Sequence, residues 1–398
     1  MGIILNDEQK YVVEEACKWW RYSSEQVFQF VGYAGVGKSV VLNAILDALD
    51  IPLHRVAPMA YIGQAAIIMR LKGLRNAKTI HSWLFNPVEK YKLDSNGNIV
   101  MNTYFNRPEF ELGFESKPLE NIDLILIDEA GSVPASLKHE IESRGKKIIA
   151  TGDLGQLPPV YGDPAYLYDG RILELTKIMR QNEDSALLYL ADRARKGLPI
   201  NTGYYGDCLV IYEDELTDEM ISNSEIIICG KNKTRDMFNN HVRNNILGIR
   251  SDLPIYGDKM ICRKNNWNIE VDGINLANGL IGNVVNNPSV EGFSKDGFRL
   301  DFKPTMLNNA FVGLQCDYNY LIAPHEKKNV LKNNKFNRSE KFEYAYAIST
   351  HLSQGAAFNN GIYYEEFLSR DIQKNLNYTG ITRFRNSMIY VKPRRKFY

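Results

Sequence analysis

The chain has 398 residues, 44% of them hydrophobic and 24% charged, which is ordinary globular composition with enough apolar mass for two or three domains. Lys and Arg number 48 against 47 Asp and Glu, so a global basic field is excluded and any nucleic-acid binding must run through a local channel. The opening Met1-Gly2-Ile3-Ile4-Leu5 lacks a signal peptide's basic start and apolar run, no stretch reaches the roughly 18 apolar residues of a membrane span, and the five cysteines show neither CxxC nor zinc-ligand spacing. A cytoplasmic protein with reduced thiols and no membrane association is expected.

In chain order, the first half alternates short apolar strands with helical patterns. Val27-Phe28-Gln29-Phe30-Val31 predicts a buried strand. The spacing of Val40, Val41, Ala44, Ile45 and Ala48 predicts a helix over 39–49. A second strand is expected over 53–57 and a second helix over 61–71. Two more apolar strands follow over 122–127 and 147–151. This alternation predicts an α/β fold, with a parallel sheet covered on both faces.

Between 85 and 118 the pattern breaks. Strand-like runs over 88–93 and 99–105 flank Asp94-Ser95-Asn96-Gly97-Asn98, and an Asn-Gly pair in that setting signals a hairpin. A second α/β pattern begins near Leu209, with a strand over 226–229 and a helix over 234–247. The basic run Arg193-Ala194-Arg195-Lys196 reads as a solvated helix face. From 252 to 341, Gly, Asn and Pro punctuate short β-like runs, which suits a small β-barrel inserted into the second unit. The α/β pattern resumes at Tyr344.

Three segments carry chemistry. Gly32-Tyr33-Ala34-Gly35-Val36-Gly37-Lys38-Ser39 fits GxxxxGK[ST], and it follows a strand and opens a helix as that motif requires. The backbone from Gly32 through Ala34, Gly35, Val36 and Gly37 can close its N–H groups around phosphate oxygens. Lys38 neutralises the β- and γ-phosphates, Ser39 offers its hydroxyl to Mg²⁺, and the helix N-terminus adds its dipole. Leu126-Ile127-Asp128-Glu129-Ala130 ends a buried strand with two carboxylates, a costly placement unless they bind something. Asp128 is the candidate holder of Mg²⁺, partly through water, and Glu129 the candidate base for an attacking water. Thr151-Gly152-Asp153-Leu154-Gly155-Gln156-Leu157-Pro158-Pro159 also follows a strand, and Gln156 at its tip can sense a γ-phosphate. A nucleoside triphosphate and Mg²⁺ are therefore the expected cofactors.

In this order the three segments resemble motifs I, II and III of superfamily 1 helicases. The form Gly-Asp-x-x-Gln-Leu-Pro-Pro is most similar to the RecD-like (1B) branch, Dda-type bacteriophage helicases included. Other segments fall where that family has its motifs. Leu5 to Lys10 resembles the Q motif, Ala57 to Ala60 motif Ia, Thr79 to Ser82 motif Ib, Leu175 to Gln181 motif IV, Ser349 to Gly355 motif V and Tyr378 to Arg383 motif VI. The likeness spans nearly the whole chain. Departures from the family pattern are Met59 for Thr, Leu352 for Lys, Ala356-Ala357 for polar residues and Phe384 for a small one.

The resemblance implies two RecA-like domains with ATP between them. The first is expected over 1–84 and 119–180, with a hairpin insertion (1B) over 85–118. The second is expected over 181–251 and 342–398, with the small β-barrel (2B) over 252–341. Arg180 and Arg383 are expected at the γ-phosphate and Gln9 at the adenine edge. DNA contacts are expected from Pro58, Met59, His81 and Trp83 on the first domain, and from Asn232, His351 and Ser353 on the second. Tyr91, Tyr104 and Phe105 are expected to give the hairpin a duplex-splitting surface. The implied activity is ATP hydrolysis that drives 5′→3′ movement on single-stranded DNA and unwinding; the alternatives are translocation without unwinding and 3′→5′ movement. Single-stranded DNA, forked or tailed duplex, and replication or single-strand-binding proteins are the implied partners of a monomer, in the host cytoplasm if the chain is viral.

Overall fold

The computed structural model of the chain describes residues 4–91, 93–94, 97–102, 107–108, 110–159, 162–177, 185–288, 297–332 and 339–394. Helix Asp7–Tyr22 begins where Asn6 caps it: the Asn6 side chain accepts from the Gln9 N–H, and the Gln9 side chain accepts from the Asn6 N–H. Its apolar face packs Val12, Ala16 and Trp19 onto Phe28 and Phe30 of the first sheet.

That sheet has six parallel strands, in the order Ile172–Leu175, Val27–Gly32, Lys147–Gly152, Leu124–Asp128, Val56–Ala60 and Lys78–Thr79. Cores on both faces explain why its middle strands are apolar throughout rather than alternating. Parallel register brings Gly32, Asp128 and Gly152 to one edge, where their loops leave the sheet. The second strand starts later than the 53–57 expected. Pro52 leads into a 3₁₀ turn at Leu53–Arg55, and the strand is Val56–Ala60.

The second sheet runs Gly203–Tyr205, Cys208–Tyr212, Met388–Lys392, Ile362–Tyr364, Ile227–Cys229 and Ala347–Ser349, all parallel except the first. Ala186–Lys196 and Gln373–Ile381 cover one face and Asn232–His241 the other, so the chain is α/β with two parallel sheets flanked by helices. Among the described residues no helix is long and apolar enough to cross a membrane.

Between these strands the chain builds a five-stranded antiparallel sheet: Phe311–Asp317, Gly297–Pro304, Ile281–Val284, Lys259–Cys262 and Phe342–Tyr344. A bridge from Cys316 to Glu340 joins the first strand to the lead-in of the last and curls the sheet on itself. Alternating burial along Gly297–Pro304 sends Phe298, Leu300 and Phe302 inward. The α/β pattern therefore resumes at Ala347, not Tyr344, because Phe342–Tyr344 pairs with Lys259–Cys262.

The segment over 85–118 also differs from the expected hairpin. Phe85–Tyr91 pairs with Phe110–Ser116, seven residues against seven, and Leu93 bridges Ile99 beyond it. The turn that includes Gly97 (φ 82°) thus closes only an inner loop, and the long ladder closes outside it. Tyr104 and Phe105 lie outside the described residues, while Tyr91 ends the ladder half exposed.

A buried ionic hub fastens the curled sheet to the second one. Glu343 accepts from the Tyr320 hydroxyl at 2.8 Å and lies 3.2 Å from Arg235, 3.6 Å from Arg263 and 3.6 Å from Lys328. Burial works to raise its carboxyl, but Arg263, Lys328 and Arg235 together outweigh that and bring it down to about 2. Removing one member of a buried charge group is costly because the others stay unneutralised. Glu343→Ala is expected to lower unfolding free energy by about 3–5 kcal/mol in a urea titration. The carboxyl is depressed, so its stabilisation is present above the unfolded value of 4.5 and is lost as pH falls toward about 2. An unchanged urea midpoint would refute the hub.

Candidate nucleotide site and nucleic-acid face

The phosphate loop joins Val27–Gly32 to helix Lys38–Leu49. Gly35 and Gly37 hold φ of 90° and 85°, which side chains rarely adopt, and a Cβ on Gly37 would sit 2.7 Å from Gln9 Nε2. Lys38 Nζ donates to the carbonyls of Gly32 and Tyr33 at 2.7 and 3.3 Å, which poises the ammonium over the loop. Gln9, expected at an adenine edge, sits beside the phosphate loop. Its Nε2 donates to Val36 O at 3.0 Å and its Oε1 accepts from Asn6 N–H, so the buried amide braces the loop from behind.

Asp128 and Glu129 stand at the tip of Leu124–Asp128. Burial and the neighbouring Glu129 push the Asp128 carboxyl up to about 6, against the pull of Lys38 and Lys72. Glu129 holds φ 51°, a strained value for a residue with a Cβ, and Ser132 fixes it by donating both N–H and hydroxyl to Glu129 O. Lys72 Nζ donates to Ser39 Oγ at 2.9 Å and its charge also acts on Asp128. A cation thus sits on the hydroxyl and its field reaches the carboxylate, so the pair fits Mg²⁺, a hard ion that needs few protein oxygens beside substrate phosphates.

Opposite them lies the second sheet. Glu129, Asp153, Gln156 and Leu157 from the first half and Gln354 and Gly355 from the second line one cavity. Gln354 Nε2 donates to Leu157 O at 3.0 Å, and Thr379 Oγ1 accepts from Leu157 N–H at 2.9 Å. Asn375 Nδ2 donates to the carbonyls of Leu154, Gly155 and Gln156 at 3.3, 3.1 and 2.9 Å. Arg383 is buried just beyond helix Gln373–Ile381, where Thr379 O and Ala356 O accept from it at 3.0 and 3.3 Å. Burial lowers its guanidinium from the ordinary value, and Glu129 and Asp153 oppose that from across the cavity. Arg180 lies outside the described residues.

The candidate DNA contacts divide. Met59 is 0% exposed and Pro58 is buried with it, because Val56–Ala60 is covered on both faces; neither is a surface contact. Trp83 packs on the core and donates its indole N–H to Pro58 O at 2.8 Å, so its observed work is bracing that strand. Ser353 is also 0% exposed, its hydroxyl donating to Thr350 O at 2.8 Å. His81 stands at the surface. It sits in an aromatic row with Tyr61 at 6.2 Å and Phe85 at 6.0 Å, and Phe114 lies 6.2 Å beyond Phe85. Partial burial holds the His81 and His351 imidazoles below their ordinary values, which favours neutral, stacking rings. Asn232 is paired to His325 at 2.7 Å.

Comparison with known proteins agrees with this layout. A family profile described as an AAA domain matches residues 4–207, the half of the chain that bears the phosphate loop. The chain belongs to the AAA-domain family. A curated relative, the ATP-dependent DNA helicase PIF1 of Candida albicans, is 28% identical over 197 residues, 46% of this chain and 19% of that protein. The chain spans between 19% and 36% of the length of the curated relatives it matches. Among solved structures, the Pif1 helicase from Candida albicans superposes with TM-score 0.55 at 17% identity, covering 98% of this chain and 94% of that one. Bacteroides Pif1 bound to single-stranded DNA superposes with TM-score 0.55 at 16% identity, covering 98% and 92%. These likenesses show the fold, two RecA-like sheets facing one cleft.

In this AAA-domain chain sequence reasoning missed the residues that close the cleft and the lysine that bonds Ser39. Gln354 and Tyr378 lie inside recognised segments without an assigned role, Asn375 and Lys72 lie in none, and the run around Arg195 reads as a solvated face. Arg195 in fact lies 4.0 Å over the ring of Tyr33 in the phosphate loop. The closure is tight at Gly155, where a Cβ would meet the Tyr378 ring at 2.7 Å. Gly155→Ala is expected to destabilise by about 1–3 kcal/mol through overpacking. Denaturant unfolding measures it, and an unshifted midpoint would show that the two sheets do not meet this way in solution.

Proposed function

We propose that the chain is a superfamily 1 ATPase of the RecD-like branch that moves 5′→3′ along single-stranded DNA and separates duplex at a fork. One observation carries this reading: Glu129 and Gln156 of the first half line one cavity with Gln354 and Gly355 of the second, Tyr378 of the second half bonds the phosphate-loop amide of Ala34, and the charges of Glu129 and Asp153 act on Arg383. A site assembled from two bodies makes hydrolysis depend on their approach, which is what a motor requires. The Pif1 relatives support it, one by its name as an ATP-dependent DNA helicase and one by its bound single strand.

In this reading Lys38 neutralises the terminal phosphates, and Ser39 and Asp128 hold Mg²⁺. When bound there, the ion offsets phosphate charge and fixes phosphate orientation. Glu129 takes the proton of the attacking water. Gln156 orients that water or the γ-phosphate, and Arg383, with Arg180, stabilises charge as the cleft closes. The first RecA-like domain comprises 1–84 and 119–180 with its hairpin over 85–118. The second comprises 181–251 and 347–398, and the barrel is extended to Tyr344 by its strand pairing. His81, His351 and Asn232 touch the strand, with Tyr61, Phe85 and Phe114 offering stacking surface toward the hairpin.

Steady-state ATP turnover with and without single-stranded DNA tests the proposal. DNA should stimulate the wild type strongly, and Glu129→Gln should lose about 10²-fold or more in kcat. Equal turnover with and without DNA would sink the motor reading, and duplexes tailed at the 5′ or 3′ end report polarity. Replacing 92–109 by a two-residue turn, which leaves the Phe85–Tyr91 ladder intact, should abolish unwinding and spare stimulated turnover. Loss of both together would remove the hairpin's assigned role.

A further inference from the structure

Tyr378, on helix Gln373–Ile381, is 2% exposed, and its hydroxyl reaches across the cleft into the first sheet's loops. The hydroxyl oxygen accepts from Ala34 N–H at 2.9 Å, and the hydroxyl donates to Asp153 Oδ2 at 2.7 Å. Asp153 Oδ1 accepts from Gly155 N–H at 2.9 Å, which shapes the loop that bears Gln156. The Tyr378 ring stands edge-on to Tyr33, centroids 6.2 Å apart, while Arg195 covers that same ring. One hydroxyl therefore joins a phosphate-loop amide, the Gln156 loop and the helix that ends just before Arg383.

We propose that Tyr378 is a positioning residue whose hydroxyl transmits cleft closure, and with it DNA binding, to the phosphate loop and Gln156. The proposal rests on the motor reading above. A hydroxyl has one proton and two lone pairs, so it can donate to the carboxylate and accept from the amide at once. The bond to a carboxylate is charge-assisted, and in a buried setting the two bonds reinforce each other. Ala34 belongs to the loop that must wrap phosphate, so whether its amide is paired depends on where the second sheet stands. The link to DNA runs through His351, three residues before Gln354, whose amide holds Leu157 at the end of the same Gln156 loop. The aromatic ring itself fills space against Gly155 and Tyr33, which separates the packing role from the hydroxyl's role.

Tyr378→Phe keeps the ring and removes only the relay. With saturating single-stranded DNA its kcat should fall about tenfold or more, the scale of a lost bond to a charged group. DNA-free turnover and the KM for ATP should each stay within about twofold, since packing is retained. Asp153→Asn leaves one oxygen where two bonds must be accepted, and it should lower the DNA stimulation similarly. The double variant should be no worse than either single, as expected of groups in one network. Thermal melting of each variant reports whether it is folded. Full stimulation in Tyr378→Phe, equal loss with and without DNA, or multiplied effects in the double variant would each overturn the proposal. Absent stimulation in the wild type would instead remove the motor reading, and the proposal with it.

Discussion

The loop Asp153 to Leu157 lies outside the ladder of its own sheet, so its carbonyls and amides need partners from elsewhere. Asp153 takes the Gly155 and Gln156 amides, and the remaining groups find theirs across the cleft. Asn375 serves three consecutive carbonyls, Thr379 takes the Leu157 amide and Gln354 supplies the Leu157 carbonyl. The position of Gln156 is thus set by the opposite sheet. Much else about the site follows from that dependence, because the first sheet alone holds the phosphate loop and the carboxylates but satisfies this loop only through Asp153.

Electrostatics reinforce the same division. Asp128, Glu129 and Asp153 crowd one edge, and burial raises the Asp128 and Asp153 carboxyls. Lys38 pulls both back down, and Arg383 approaches from the facing side, itself disfavoured by burial and held by Glu129 and Asp153. Neither set is comfortable alone, since a desolvated charge needs an opposite one nearby. The Glu343 hub uses the same physics for a static purpose. There one carboxylate meets three cations within a single buried junction, and the curled sheet is anchored to the second sheet rather than left to swing.

Motif positions were readable because they need particular residues at particular spacings. The phosphate loop, the Asp128-Glu129 pair and the apolar strands before them are local patterns, and parallel strands buried on both faces announce themselves as continuous apolar runs. The inner turn at Gly97 was also legible, yet it misled over the longer pairing, since a turn signal fixes only its nearest residues while the ladder is closed by Phe110–Ser116. Likewise Met59 and Ser353 sit in segments that resemble DNA-contact motifs, and only burial reveals that their side chains face inward.

By itself the sequence determined two α/β units, a nucleotide site on the first and an inserted run of short strands in the second. These follow from periodicity and spacing, which act between residues close in the chain. Tertiary structure alone decided what Gln9, Lys72, Arg195, Asn375 and Tyr378 do. Each meets its partner from another segment, Gln9 at Val36 and Tyr378 at Ala34 and Asp153, and no local pattern encodes a hydrogen bond across tens or hundreds of residues. Such contacts exist only once both sheets are packed and facing, because the cleft is what brings their partners within bonding distance.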